Sequence, residues 1–179
     1  WSFASYSDYR KGLMFLLIVY VLIALGFSFL CSIAEAVILS VSSAYISVLE
    51  KENRPSGILL RKQTDNINTP LSAILTLNTI AHTMGAAGAG AQAASVFGEA
   101  YLGVISAVLT LLILVFSEII PKTVGATYWR GLAPVTAYFL KYLIIILKPF
   151  VVMSELLTRG FKDDSPLRGL SRGELHAMA

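Results

Sequence analysis

Residues 13–41, LMFLLIVYVLIALGFSFLCSIAEAVILSV, constrain this chain more than any other stretch. Glu35 is the one charged residue in the run. A helix needs roughly 20 apolar residues to cross the hydrocarbon of a bilayer, at ~1.5 Å per residue, and this run exceeds that. Arg10 and Lys11 precede it, as they would in a secretory signal. A signal's apolar core, however, is only about 7–15 residues long, and further apolar segments follow. Composition agrees, with 56% hydrophobic and 14% charged residues, against roughly half and a quarter in soluble domains. The chain reads as an all-α membrane protein. Its net charge of +3 and pI near 9.0 give no reason to expect nucleic acid, because the basic residues are spread over loops and helix ends. The single Cys31 excludes an internal disulfide framework. The start at Trp1 and the last residues, GELHAMA, lead us to expect a fragment or processed form.

Three more apolar segments follow. Residues 71–96 begin just after Pro70, which suits a first helical turn because no N–H donor is needed there. Residues 101–125 form a third span after the short connection FGEA, and 133–157 are apolar but contain Lys141, Lys148 and Pro149. Between the first two spans, residues 44–70 are mixed, with SGILLRKQ fitting a short amphipathic helix. The Lys and Arg count sets orientation. Loop 44–70 carries four basic residues, FGEA none, and the chain after Pro121 eight. Three spans (about 13–41, 71–96 and 101–125) with the N-terminus outside and the C-terminus cytoplasmic satisfy this pattern, with Arg10 and Lys11 dissenting. A fourth span at 133–157 would carry Lys141 and Lys148 through lipid, at about 2.5–3.5 kcal/mol each before snorkelling. A juxtamembrane, belt-like interfacial helix over about 132–158 avoids that.

Polar side chains within these spans fall into three clusters. Ser28, Ser32 and Glu35 are spaced i, i+4, i+7 and share one helical face. A lone serine there is more often a packing residue, bonded back to its own helix, and Glu35 lies close enough to the loop to snorkel. Asn78 offers an amide oxygen, with His82 one turn later on the same face. Their plain readings are an interhelical hydrogen bond and a packing histidine. The third cluster is SEIIPKTVG, residues 117–125. Pro121 lacks an N–H and its ring clashes with the carbonyl four residues back, so Ser117's carbonyl is expected to lose its helical donor. Glu118 brings a carboxylate to the same level, and Gly125 loosens the chain beyond. Broken helices whose freed carbonyls line an ion site recur in transporters. Hydroxyls, an amide oxygen, carbonyls and two carboxylates suit a hard cation such as Mg²⁺, and a Na⁺ site draws on the same oxygens. GAAGAGAQAA, residues 85–94, is a small-residue surface for close helix contact within one subunit or between two.

SFLCSIAEAVILSVSSAYI, LSAILTLNTIAHT and SEIIPKTVG, in this order and spacing, resemble the transmembrane domain of the CNNM/CorC family of magnesium transport proteins. The resemblance covers about residues 10–175. It implies a homodimer in the plasma membrane, with three membrane helices and a belt helix per subunit. Each subunit would hold one Mg²⁺ through Ser28, Ser32, Asn78 and the groups around Ser117, Glu118 and Gly125, with Glu35 and Glu118 as direct or outer ligands. The implied activity is Mg²⁺ export, coupled to inward Na⁺ movement. It also implies a transmembrane domain over 1–175, with 159–179 opening a connecting region to cytosolic regulatory domains that this chain lacks. His82 departs from the pattern, since many relatives carry an asparagine there. Two other readings remain: a membrane anchor and Mg²⁺ sensor without transport of its own, and a membrane-embedded enzyme built on His82. The second has no nucleophile motif or paired metal ligands to support it.

Overall fold

A computed structural model describes the backbone of residues 2–162 and the side chains of residues 11–157. Every regular element among the described residues is helical. Helix α1 (Ser2–Ser40) is followed by α2 (Ser43–Lys51), α3 (Pro55–Asp65) and α4 (Asn68–Phe97). A 3₁₀ turn (Glu99–Tyr101) then leads into α5 (Leu102–Leu112), a π-helical segment (Ile113–Ile119) and α6 (Ile120–Thr127), and the order closes with α7 (Trp129–Ile146) and α8 (Lys148–Lys162).

Two stretches, Lys11–Ser40 and Glu99–Thr127, are long and apolar enough to cross a membrane. A third is available if α7 and α8, bent by 82°, count as one span. Helix α4 has the length, but its run of glycine and alanine makes it the least apolar of the long helices. The expected single helix over 132–158 is therefore two helices. Pro149 cannot donate to the carbonyl of Ile145 and disfavours helical geometry at Lys148. The helix ends at Ile146, and the chain restarts with the proline in its next first turn. The connecting region expected at 159–179 lies outside the described residues beyond Lys162.

The expected amphipathic helix in loop 44–70 is present as α3, with Pro55 at its first position. A second helix, α2, precedes it, capped by Ser42, whose hydroxyl accepts from the Tyr45 N–H at 3.3 Å. Arg61 of α3 grips Glu50 of α2 through two bonds, at 3.2 and 2.9 Å, and also donates to Ser47 at 3.1 Å. The guanidinium beside Glu50 holds that carboxyl below its ordinary range, chiefly through the hydrogen bond. The apolar core lies where α2, α3 and α7 meet the C-terminal half of α1 and the start of α4. Val37, Ile38, Ile46, Leu60, Ala137 and Leu140 are buried there. Beyond it the helices expose large apolar side chains such as Phe15, Leu22, Val104 and Leu111, as a lipid-facing surface requires.

Helix α4 returns antiparallel along α1. A Cβ on Gly85 would sit 2.2 Å from Ala24 Cβ, and one on Gly88 would sit 2.7 Å from the Tyr20 ring. The small-residue surface thus serves contacts within the subunit at these two positions, while Gly90 faces open space. Gly98, at φ +85°, ends α4 in a left-handed conformation that glycine adopts without strain and turns the chain back. The third limb then runs parallel to α1. Leu109 and Ile113 share a small gap with Val21 and Ala24, and Gly125 meets Ile33 and Ala36 further along.

Candidate metal centre

That register fixes the level of each polar group. Leu109–Ile113 lie beside residues 21–25 of α1, and Lys122–Gly125 beside residues 33–36. Interpolating between them puts Ser117 at about the level of Ser28. Helix α4 brings Asn78 and His82 to the same level, because both reach Ser28. The Ser28 hydroxyl donates to Asn78 Oδ1 at 2.5 Å and lies 2.6 Å from His82 Nε2. With its one hydrogen given to Asn78, Ser28 accepts from the histidine ring, which makes Nε2 the protonated nitrogen.

Ser28, Ser32 and Ser117 are all buried, at 0%, 1% and 0% exposure. The Ser32 and Ser117 hydroxyls have no hydrogen-bond partner among the described residues. Back-bonding to the preceding turn is the usual fate of such groups. Thr76, Thr83, Ser95, Thr110, Thr123 and Thr127 all do it, at 2.7–3.0 Å. Ser32 and Ser117 do not, although each sits in a helical segment that offers the acceptors. An unmet buried hydroxyl costs about 1–3 kcal/mol, so two within one turn of the Ser28 level call for a reason.

The π segment changes one expectation. Ile120 N–H donates to the carbonyl of Val115, five residues back. Continued by one residue, this register would pair the N–H that Pro121 lacks with the carbonyl of Phe116. In that register the donor missing at Pro121 falls opposite Phe116 as well as near Ser117, so both carbonyls are candidates for the one left without a helical donor.

The remaining expected residues separate. Glu118 is partly buried and has no ion pair or hydrogen bond among the described residues. Glu35 pairs with Lys122 at 3.3 Å, with the lysine more exposed than the carboxylate. Sequence reading counted Lys122 only for topology. Its place four residues after Glu118, on the limb that faces α1, was the available signal. Gly125 has a packing explanation of its own, since a Cβ there would lie 2.8 Å from the Ile33 carbonyl oxygen. No cluster of three or more His, Cys, Asp or Glu suited to a metal occurs among the described residues. A cation held here would depend on hydroxyl, amide and carbonyl oxygens with few charges.

Long apolar helices around a buried polar level define an all-helical integral membrane domain. A family model described as the Cyclin M transmembrane N-terminal domain (CNNM) matches residues 17–178. The chain belongs to this family. It is 35% identical over 150 residues to the UPF0053 protein sll1254 of Synechocystis sp., covering 84% of this chain and 43% of that protein. It is 27% identical over 168 residues to a UPF0053 protein of Haemophilus influenzae, covering 90% and 40%. The same identity holds over 137 residues of the UPF0053 inner membrane protein YfjD of Escherichia coli, covering 73% and 32%. The chain therefore spans less than half the length of these relatives.

Proposed function

We propose that this domain is the ion-conducting part of a Mg²⁺ transporter, an exporter driven by inward Na⁺ movement, working as a homodimer in the plasma membrane. The observation that carries the reading is the pair of unpartnered buried hydroxyls, Ser32 and Ser117, flanking the Ser28–Asn78 hydrogen bond. Mg²⁺ gives up its water reluctantly and needs octahedral oxygen at about 2.0–2.1 Å. Ser28, Ser32, Asn78 and Ser117 replace part of that shell, Glu118 offsets charge, and Glu35 is available once Lys122 releases it. Gly125 serves the site by letting α6 approach α1, with its carbonyl as a further candidate ligand. In this reading α1, α4 and the α5–α6 limb are the three spans, and α7–α8 form the belt at the inner surface. The N-terminus then lies outside and the C-terminus in the cytoplasm. The chain over 1–175 is the transmembrane domain, and 159–179 lead to cytosolic regulatory parts of the full-length protein.

The deciding experiment is Mg²⁺ flux in proteoliposomes. Glu118→Gln and Asn78→Ala abolish flux while the dimer still forms; unchanged flux in both removes the site. The chain's coverage of under half its relatives supports a second reading, an anchor and Mg²⁺ sensor for a cytosolic part. Calorimetric Mg²⁺ binding without flux from the full-length protein would select it.

A further inference from the structure

A second polar feature lies outside the ion site, where α3, the start of α4 and α7 meet. They enclose a cavity of about 330 Å³. Lys62 of α3 and Lys141 of α7 line it from different helices, and both are exposed. Leu59, Ile144 and Ile145 supply an apolar wall. Among the described residues no acidic side chain lines it; Glu155 is one side chain removed, accepting from Thr69, which does line it. Gln63 also lines the cavity, at 6% exposure. Its amide nitrogen donates to the Ala137 carbonyl at 2.9 Å, and its oxygen has no partner among the described residues. The cavity thus offers two cations, one buried acceptor in need of a donor, and an apolar side. Next to it on α7, Tyr142, Ile145 and Ile146 are 61%, 60% and 73% exposed.

From this combination we infer that the cavity is a binding site for an anionic phospholipid with a hydroxyl-bearing headgroup. Lys62 and Lys141 hold the phosphodiester, a headgroup hydroxyl donates to Gln63 Oε1, and the acyl chain leaves along Ile144 and Ile145. Lysine stems are suited to this, since they lie along apolar surface while their charges reach the headgroup. A bound lipid would tie α3 to α7 independently of any ion site, so the inference stands or falls apart from Mg²⁺ transport.

The test is retention of phosphatidylglycerol against phosphatidylcholine by the full chain, released from mixed nanodiscs and read by native mass spectrometry. The wild type retains phosphatidylglycerol preferentially. Lys62→Gln and Lys141→Gln each reduce that preference roughly fivefold, and the double variant removes it. Gln63→Leu weakens phosphatidylglycerol but not phosphatidylmethanol, a phosphodiester whose headgroup has no hydroxyl. Lys51→Gln with Arg54→Gln, on the same loop but away from the cavity, changes nothing. Undiminished preference in the Lys62/Lys141 double variant overturns the site. An equal loss in the Lys51/Arg54 control also overturns it, because diffuse charge would then account for the binding. Displacement of the lipid by millimolar glycerol 3-phosphate assigns the cavity to a soluble phosphate ester and overturns the lipid. Far-UV circular dichroism of the exposed lysine variants confirms that they fold.

Discussion

Two polar clusters in this molecule are built on opposite terms. Between α2 and α3, Arg61 gives Glu50 two hydrogen bonds and Ser47 a third, and both charged partners keep about a third of their side-chain surface in water. Between α1, α4 and the π segment, the hydroxyls of Ser32 and Ser117 are sealed from solvent and meet nothing among the described residues. The first cluster joins two short helices that also pack on each other through Ile46, Leu49 and Leu60 of the core. The second leaves polarity unspent where it is most costly. A cluster satisfied by its own protein is structural; the other leaves two hydroxyls open, one on α1 and one on the π segment, beside the polar face of α4, and the proposed cation would meet them there.

The sharpest way to break this contrast is Ser32→Ala with Ser117→Ala. If the hydroxyls are ion ligands, Mg²⁺ flux in liposomes falls at least roughly tenfold, a size typical of losses around metal sites. Thermal stability without Mg²⁺ holds or rises, because a buried unmet group has been removed. Loss of both flux and stability would mean the serines were satisfied after all. Gly85→Ala tests the scaffold that aligns the site. Its new methyl overlaps Ala24, which costs about 1–3 kcal/mol as overpacking. Ala24→Gly in the same chain restores stability, as a denaturant titration in micelles would show.

Ser28→Ala falls between the clusters, because Ser28 has partners. It loses its bonds to Asn78 and His82, about 0.6 kcal/mol each in membrane proteins, so both stability and flux decline. The smallest effect is at the loop. Glu50 titrates below the ordinary carboxylate range in the folded chain because Arg61 bonds to it. Its contribution is therefore complete above the ordinary carboxylate pKa and fades as pH falls through the lowered value. Glu50→Gln flattens the acid side of the melting-temperature profile, below the ordinary carboxylate range, while flux at neutral pH stays near wild type.

The apolar length of 13–41, the helix start near Pro70 and the reversal at FGEA were legible because each is written locally, in hydropathy, a proline and a glycine. The grouping of Ser28 with Asn78 came from the family resemblance, since pattern alone put them in separate polar clusters on separate spans. Helix α2 was not legible: SAYISVLEK is short and mixed, and much of what holds it is tertiary, with Ile46 and Leu49 buried and Arg61, eleven residues beyond, bonded to Glu50. The bend at Leu147 was half legible, as Pro149 announces a break but not its angle of 82°. The π turn left no local signal, and the pairing of Lys122 with Glu35 depends on the parallel register of two limbs far apart in sequence.

That π turn has a consequence for phase. Leu109, Ile113, Ser117, Pro121 and Gly125 are all partly or fully buried and recur every four residues. On an α-helix of 3.6 residues per turn, a four-residue repeat drifts by about 40° at each step, or roughly 160° over this stripe. The wide turn holds one extra residue, enough to reset about 100° of that drift. It works as a vernier, keeping the upper contact at Leu109 and the lower contact at Gly125 on one side of the limb. Straightening that turn into regular α-helix at unchanged length would rotate Gly125 and Lys122 by about 100° away from α1, whereas deleting a single residue between 113 and 119 would remove the wide turn and leave both contacts in phase.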